Sequence, residues 1–227
     1  MKKSLAIDLR HAALLLIDLQ EEQRQDPLYA VDGIEAVLAN AQRLLLAARQ
    51  RSLPAFHAAY RRDFDRCPPR PFEPVAEGGG PTFSDKDNPL VAICREVAPV
   101  GDELVVYKND ASAFGEGNLA PALDQRAIEW LFIAGVWTEA CVAATVRDAI
   151  ALGKRVILVK DACGSGTQTM HQTAILNLAN RLYGGAVTNT LGALALMAGE
   201  TTEAWMPERP VPILFHYADA ADHYDRL

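Results

Sequence analysis

The chain has 227 residues, of which half are hydrophobic and 22% are charged, a composition typical of a globular protein of one domain. Its formal net charge of −7 and pI near 5.2 argue against a nucleic-acid or anionic-membrane partner, which would require a basic surface. Four widely spaced cysteines without a CxxC pair argue against a disulfide framework and against a zinc site.

The N-terminal segment starts like a signal peptide, with two lysines before an apolar stretch. Asp8, Arg10 and His11 interrupt that stretch, and no small-residue cleavage site follows it. No apolar run of the chain is long enough to span a bilayer. We therefore expect a cytoplasmic location.

Apolar runs and helical periodicities alternate along the chain. Six short apolar runs predict strands, at residues 12–17, 55–59, 103–107, 130–134, 155–159 and 186–188. Amphipathic segments predict helices near residues 32–51, 89–97, 121–126, 138–152, 169–183 and 190–197. Residues 60–88 are rich in proline, glycine and charge and predict a long loop, and residues 203–227 predict an irregular tail.

This alternation predicts an α/β fold, a three-layer sandwich in which a six-stranded, mostly parallel sheet carries helices on both faces. Functional residues in such sheets gather beyond the carboxyl ends of the strands. Asp18, Lys108 and Cys141 each follow an apolar run at such an end. A carboxylate, an ammonium and a thiol are therefore expected in one crevice.

Cys141 follows Thr138, a good helix N-cap, and so falls in the predicted first turn of a helix. A helix N-terminus favours the thiolate form of cysteine, and its free N–H groups can hold an oxyanion. In that reading Asp18 takes the thiol proton, and Lys108 holds Asp18. The alternatives are a cysteine that fills a gap, a carboxylate that caps a helix and a lysine that is merely solvated.

These residues also carry a family resemblance. Asp18 in LLIDLQ, Lys108 followed by Ser112-Ala113-Phe114, and the stretch GVWTEACVAATVRDAIALGKRVILVKDAC resemble the isochorismatase-like cysteine hydrolase superfamily. The resemblance implies that an Asp18–Lys108–Cys141 triad cleaves amide or ureido C–N bonds through a thioester-like intermediate. It also implies a cis peptide at Val136–Trp137, with the N–H groups of Trp137 and Cys141 forming an oxyanion hole.

Departures from the family pattern narrow this reading. Only His57 remains of the histidine and aspartate ligands that nicotinamidases use, so we expect neither a metal nor another cofactor. Cys141 favours the amidase branch, which includes N-carbamoylsarcosine, biuret, ureidoacrylate and maleamate amidohydrolases. The alternatives are a vinyl-ether hydrolase that uses Asp18 as proton donor and a non-catalytic binding relative. We expect a small amide or ureido substrate and a homo-oligomer, a dimer or tetramer.

Other side chains are weaker candidates for binding substrate. Arg61 and Arg62 open the long loop and can grip a carboxylate in a bidentate manner, although charged loop residues are more often solvated. The remaining candidates are Gln20, as a group that orients Asp18 or substrate, and Phe114 and Trp137, as pocket walls or plain core. His171 is expected to be structural or interfacial.

Overall fold

The computed structural model describes residues 1–227 and contains one eight-stranded sheet. Its spatial order is β1-β8-β7-β6-β5-β2-β3-β4, where the strands are β1 Lys2–Leu5, β2 Ala12–Ile17, β3 Ala55–Tyr60, β4 Leu104–Lys108, β5 Trp130–Val136, β6 Arg155–Gly164, β7 Ala186–Thr188 and β8 Thr202–Trp205. Strands β2 to β7 pair in parallel, whereas β8 pairs antiparallel with both β7 and β1. The predicted α/β sandwich is therefore confirmed, with two strands more than expected.

Helices cover both faces of the sheet because the strands are apolar on both sides. In β2, Leu14 and Leu16 belong to one buried cluster, and Leu15 and Ile17 belong to the other. The first cluster includes α2 Ile34–Gln50 and α6 Thr190–Met197; the second includes α3 Leu119–Gln125, α4 Ala143–Ala151, α5 Gln168–Ala179 and residues of the last helix, α7 Ala220–Asp225. A short helix, α1 Glu22–Gln25, follows β2. No helix of the chain combines the length and the apolar character that crossing a membrane requires.

Three expected elements differ from the structure: the helix near 89–97, the irregular tail and the start of the helix 138–152. The segment near 89–97 forms two short 3-10 turns, Pro89–Val91 and Arg95–Val97, instead of one helix. The residues between these turns are extended because Cys94 donates its N–H to the Leu19 carbonyl and Ile93 bridges to Gln20. The tail is not wholly irregular, since it contributes β8 and α7.

The predicted helix 138–152 starts differently from an ordinary α-helix. Its first turn, Thr138–Val142, is a π-helical turn, and regular α4 begins only at Ala143. π-Helical turns widen the helix by one residue and are frequent at functional sites. Cys141 lies inside this turn, which we call the nucleophile turn (Thr138–Val142).

The sheet is tightest where β5 runs beside the end of β2. Gly135 pairs with Ile17 and has a φ of +136°, and a Cβ at this position would lie 2.1 Å from the Ile17 carbonyl oxygen. Only glycine permits this contact. On its other side, β5 meets a bulge in β6, because Ile133 pairs with Leu158 but Gly135 pairs with Cys163. Both irregularities lie next to the strand ends that carry Asp18 and the nucleophile turn.

Candidate active site

A buried ion pair joins two neighbouring parts of the sheet. Asp18 directly follows β2 with a left-handed φ of +51°, and Lys108 is the last residue of β4. The Lys108 Nζ lies 2.8 Å from the Asp18 Oδ2, and the two side chains are 0% and 4% exposed. Asp18 Oδ1 is buried without a hydrogen-bond partner in the chain. One carboxylate oxygen is thus held by a lysine, and the other remains available as an acceptor.

Lys108 is fixed by further contacts. Its Nζ donates to the Asp110 carbonyl at 3.2 Å and lies 4.4 Å from the centroid of the Tyr60 ring. Burial alone would lower the pKa of Lys108, but the adjacent Asp18 and Cys141 outweigh it and raise this pKa. Lys108 therefore remains a cation beside Asp18.

Cys141 is half-buried and lies beside Asp18 and Lys108. Burial, followed by the negative charge of Asp18, raises the pKa of the Cys141 thiol, and the cationic Lys108 opposes this only in part. The expectation that a helix N-terminus would favour thiolate is therefore wrong for the free protein. Burial and the neighbouring carboxylate favour the thiol form of Cys141.

The structure has a cis peptide at Val136–Trp137, as the family resemblance implied. The N–H group of Trp137 donates to no atom of the chain, whereas its carbonyl accepts from Ala140 and Val142, at 3.1 and 3.2 Å. The indole lies against Gly166, where a Cβ would be 2.9 Å from the ring. Trp137 is therefore held at the start of the nucleophile turn.

Asp18, Cys141 and Trp137 border one cavity of about 210 Å³. Its lining is mostly apolar and aromatic and consists of Asp18, Gln23, Tyr29, Tyr60, Phe83, Val136, Trp137, Ala140 and Cys141. Phe83 stacks on Tyr60 with ring centroids 4.9 Å apart and lies 5.5 Å from the ring centroid of Tyr29. No lysine or arginine lines this cavity.

Outside the segment 136–141, sequence reasoning missed four wall residues, namely Gln23, Tyr29, Tyr60 and Phe83. Tyr60 could have been found, because it ends β3, the strand between those that carry Asp18 and Lys108. Phe83 belongs to the long loop and gives no such signal. The loop places it through Ser84, whose N–H and hydroxyl both donate to the buried Glu22 carboxylate, at 2.8 and 2.5 Å.

Arg62 does not bind in the cavity, contrary to expectation. It is 1% exposed and forms a bidentate ion pair with Glu73, with Nε–Oε1 and Nη2–Oε2 distances of 2.8 and 2.7 Å. Its guanidinium also donates to the carbonyls of Cys67 and Pro68, at 2.7 and 3.2 Å. All these partners belong to the loop 60–88, so Arg62 holds the loop together instead of binding substrate.

Three other candidates also lie away from the cavity. Gln20 is fully buried, and its amide is paired with backbone groups: Oε1 accepts from the Tyr60 N–H, and Nε2 donates to the Tyr60 and Val91 carbonyls. Arg61 is exposed and stacks over the Tyr107 ring at 5.4 Å. Phe114 packs against the buried cluster that includes α4. Among the expected pocket walls, only Trp137 lines the cavity.

His57 belongs to a polar cluster outside the cavity. Its Nε2 lies 3.1 Å from the Glu103 Oε2, and Arg49 pairs with the same carboxylate at 2.8 Å. Burial lowers the pKa of His57, although Glu103 acts in the opposite direction. His57 thus faces Glu103 and not the cavity that contains Cys141.

One group of side chains has donor atoms close enough together to hold a cation. The donor atoms of Glu21, Cys94 and Glu96 lie within 4.8 Å of one another. However, the Arg24 guanidinium already pairs with both carboxylates, at 3.1 and 3.0 Å, and so supplies the positive charge. None of these residues lines the cavity.

A buried lysine–carboxylate pair and a cysteine thus lie together at the strand ends of an α/β sandwich. Residues 12–190 match the isochorismatase domain model, and the chain belongs to this family. It is 33% identical over 188 residues to the maleamate amidohydrolase of Pseudomonas putida, covering 79% of this chain and 84% of the relative. It is 30% identical over 155 residues to the N-carbamoylsarcosine amidase of an Arthrobacter species, covering 67% of this chain and 59% of the relative.

The fold is similar to that of a solved cysteine hydrolase from Pseudomonas syringae, with a TM-score of 0.76 at 19% identity. The superposition covers 86% of this chain and 95% of that one. At this identity, the likeness describes the fold alone.

Proposed function

We propose that the protein hydrolyses a C–N bond of a small amide or ureido compound, with Cys141 as nucleophile, Asp18 as general acid and base, and Lys108 as the cation that holds Asp18. One observation carries this proposal. Lys108 holds Asp18 through Oδ2, the buried Oδ1 of Asp18 has no partner, and Asp18 and Cys141 line the same cavity. The amidohydrolase names of two relatives support the same reaction class.

The first half-reaction forms a covalent intermediate. Asp18 Oδ1 takes the Cys141 proton as the Sγ attacks the carbonyl carbon, which creates an S–C bond and an oxyanion. The N–H groups of Trp137 and Cys141 are proposed to stabilise that oxyanion. The C–N bond then breaks, and Asp18 gives its proton to the leaving ammonia or amine.

The second half-reaction releases the acid. Asp18 takes a proton from water as the water oxygen attacks the thioester-type carbon, the S–C bond breaks, and the thiol is regenerated from the proton on Asp18. The raised pKa of Cys141 agrees with this order, because the thiol loses its proton only during attack. Lys108 stays cationic throughout and keeps Asp18 oriented.

The cavity walls narrow the substrate class. Tyr29, Tyr60, Phe83 and Trp137 offer flat apolar surfaces, and no lysine or arginine is present to neutralise a substrate carboxylate. Burying an unpaired charge against such walls is costly. We therefore propose an uncharged, planar acyl or ureido group, with the Gln23 amide as the polar group on the wall.

The ether-hydrolase alternative uses Asp18 alone. It rests on the same available Oδ1, which can protonate an enol ether. In that case Cys141 would be dispensable, whereas the amidase mechanism requires it.

An ammonia-release screen tests the proposal. The panel contains matched pairs of carboxamides and ureido compounds that differ only in an added carboxylate, and the Cys141→Ala variant serves as background. The expected result is turnover of neutral planar members, with kcat/KM at least about tenfold above their carboxylate partners. Absence of turnover across the panel would refute the reaction class, and a preference for the carboxylate partners would refute the assigned substrate class.

A further inference from the structure

A chain of hydrogen bonds connects the last helix, α7, to the nucleophile turn. The Tyr224 hydroxyl lies 3.0 Å from the Nε2 of His171 in α5. The Nδ1 of the same imidazole lies 2.8 Å from the Thr138 Oγ1, and the Thr138 hydroxyl donates to the Gly164 carbonyl at 2.9 Å. Thr138 is the first residue of the turn that contains Cys141.

The direction of each hydrogen bond follows from the residue at the end of this chain. The Gly164 atom in this contact is the carbonyl oxygen, which can only accept, so the single proton of the Thr138 hydroxyl points towards it. The Thr138 oxygen must therefore accept from His171. His171 therefore carries its proton on Nδ1. Burial lowers the pKa of His171 to about 4, so at neutral pH its Nε2 is an acceptor and Tyr224 is the donor.

Tyr224 is held in place independently of His171. The Lys160 Nζ donates to the Tyr224 carbonyl at 2.8 Å and lies 4.4 Å from the centroid of its ring. Ala220 and Leu227, on either side, are buried in the same cluster as Val142 of the nucleophile turn. The last helix is thus a fixed support for the imidazole.

Neither Tyr224 nor His171 borders the cavity that contains Cys141. Both line a different cavity of about 200 Å³, beside the beginning of α2 and the end of β6. Tyr224 also lies outside the residues 12–190 that match the family model. An effect of Tyr224 on Cys141 must therefore pass through the protein and not through contact with a substrate in the Cys141 cavity.

We propose that Tyr224 is a positioning residue, which acts through His171 and Thr138 to hold the nucleophile turn in the geometry that presents Cys141. The hydrogen-bond chain leaves Thr138 only one arrangement, and Thr138 sets where the turn leaves β5. The consequence for catalysis, a loss of kcat without a change in KM, rests on the proposed function. The expected change in the reactivity of Cys141 does not depend on the proposed function.

Alkylation of the four cysteines of the full chain by iodoacetamide, followed by mass spectrometry, tests the proposal without requiring turnover. Tyr224→Phe keeps the ring over Lys160 and removes only the hydroxyl. It is expected to change the rate of Cys141 alkylation roughly five- to tenfold, as loss of one buried hydrogen bond allows the turn to move. Tyr217→Phe, an exposed tyrosine of the same tail, is the matched control and is expected to change nothing.

Cys94 reports on global opening, because it is buried in the cluster on the other face of the sheet. Parallel changes at Cys94 and Cys141 would show general destabilisation and would overturn the proposal, as would an unchanged rate at Cys141. His171→Asn retains a donor near the Nδ1 position and removes the Nε2 acceptor. In that background Tyr224→Phe is expected to have no further effect, and an additional effect would show that Tyr224 does not act through His171.

Where the screen finds a substrate, Tyr224→Phe is expected to lower kcat roughly five- to tenfold with KM unchanged. A changed KM with unchanged kcat would overturn the positioning role. Absence of turnover in the unmodified protein would refute the proposed function, while the alkylation result would still decide whether Tyr224 positions the turn.

Discussion

The strand-end crevice and the loop 60–88 meet at one cavity, but they are held in different ways. The crevice contains Asp18, directly after β2, and Lys108, the last residue of β4, so the parallel sheet fixes their separation. The loop contributes Phe83 and is held by a buried arginine, Arg62, bonded to residues up to Glu73. We therefore propose that the sheet determines the chemistry of the site and that the loop determines which substrate reaches it.

The largest expected effect is the loss of turnover when residues of the strand-end crevice are substituted. Cys141→Ala is expected to lower turnover by at least about 10³-fold, with little change in stability, because a half-buried sulfur contributes little packing. Asp18→Asn should be almost as severe, and the double variant should resemble the worse single variant, since residues that act as one unit are not additive. Steady-state kinetics on the amide found by the screen, together with thermal melting, measures both.

The same two variants separate the two enzymatic readings. A protein that keeps near-native turnover with alanine at position 141 but loses it with asparagine at position 18 would be an ether-type hydrolase driven by Asp18. That result would contradict the amidase mechanism.

The loop should respond differently, through stability and KM. Glu73→Gln leaves the buried Arg62 without its counter-charge and is expected to cost on the order of 3 kcal/mol in the free energy of unfolding. KM should rise because the loop that carries Phe83 loses its ion pair with Arg62, while kcat changes little. Glu77→Gln, at an exposed position of the same loop, is the matched control.

Urea denaturation gives the stability change, and limited proteolysis locates it. Earlier cleavage within 60–88 only in the Glu73→Gln variant is the expected pattern. Equal cleavage of both variants would show that Arg62 and Glu73 do not hold the loop.

Acid should weaken the supports of the two regions in separate pH ranges. The pKa of His171 is about 4 in the folded protein against an ordinary value of 6.5, so unfolding takes up a proton between these values. The stability that His171 contributes is fully present above pH 6.5, and up to about 3 kcal/mol of it is lost as the pH falls towards 4.

The pKa of Glu73 is also lowered, to about 2 from 4.5, because of the adjacent Arg62 guanidinium. Its contribution is fully present above pH 4.5 and is lost as the pH falls from 4.5 towards 2, a lower range than that of His171. The free energy of unfolding, measured from pH 7 to pH 4, should therefore decline in the unmodified protein and decline less in His171→Asn. Glu73→Gln should keep the native slope between pH 7 and pH 4.5, and a flattened slope in that variant would contradict the assignment.

The smallest expected effect concerns cysteine reactivity. Because the pKa of Cys141 is raised, brief iodoacetamide treatment at neutral pH should label the exposed Cys67 of the loop before Cys141. A several-fold difference measured by mass spectrometry is expected. Faster labelling of Cys141 would contradict this prediction. It would support the thiolate form that the position of Cys141 near a helix N-terminus indicates.

Sequence patterns predicted the buried parts of the fold better than its edges. The apolar runs gave β2 and β7, and helical periodicity gave α6, with the bounds that the structure has. Strands β1 and β8 were missed because neither is a continuous buried run: β1 buries only Leu5 and β8 only Ala204 and Trp205, whereas all of β7 is buried. Helix α7 follows a proline-containing segment and has too few residues for a periodicity to show.

The candidate site also has a part that the sequence predicts and a part that it does not. Asp18, Lys108 and Cys141 could be predicted to meet, because parallel strands bring their carboxyl ends to one edge. The substrate contacts could not, because the role of Arg62 depends on Glu73, whose position results from how the loop folds. The pKa of Cys141 was likewise misjudged, since the sequence shows the helix end but not the depth of burial.

The way in which Arg62 binds its own loop has a consequence for engineering. Its partners Cys67, Pro68 and Glu73 lie within the loop, and its Nη1 also reaches the Asn109 Oδ1 at 3.4 Å. The segment returns to the body of the protein at Ser84, which is bonded to Glu22. Residues 63–83 are also anchored outside the loop, because Asn109 accepts from the Asp63 N–H at 2.8 Å and from the Arg70 guanidinium at 3.3 Å. A replacement segment designed to alter substrate selection must therefore keep the contacts to Asn109, which directly follows Lys108.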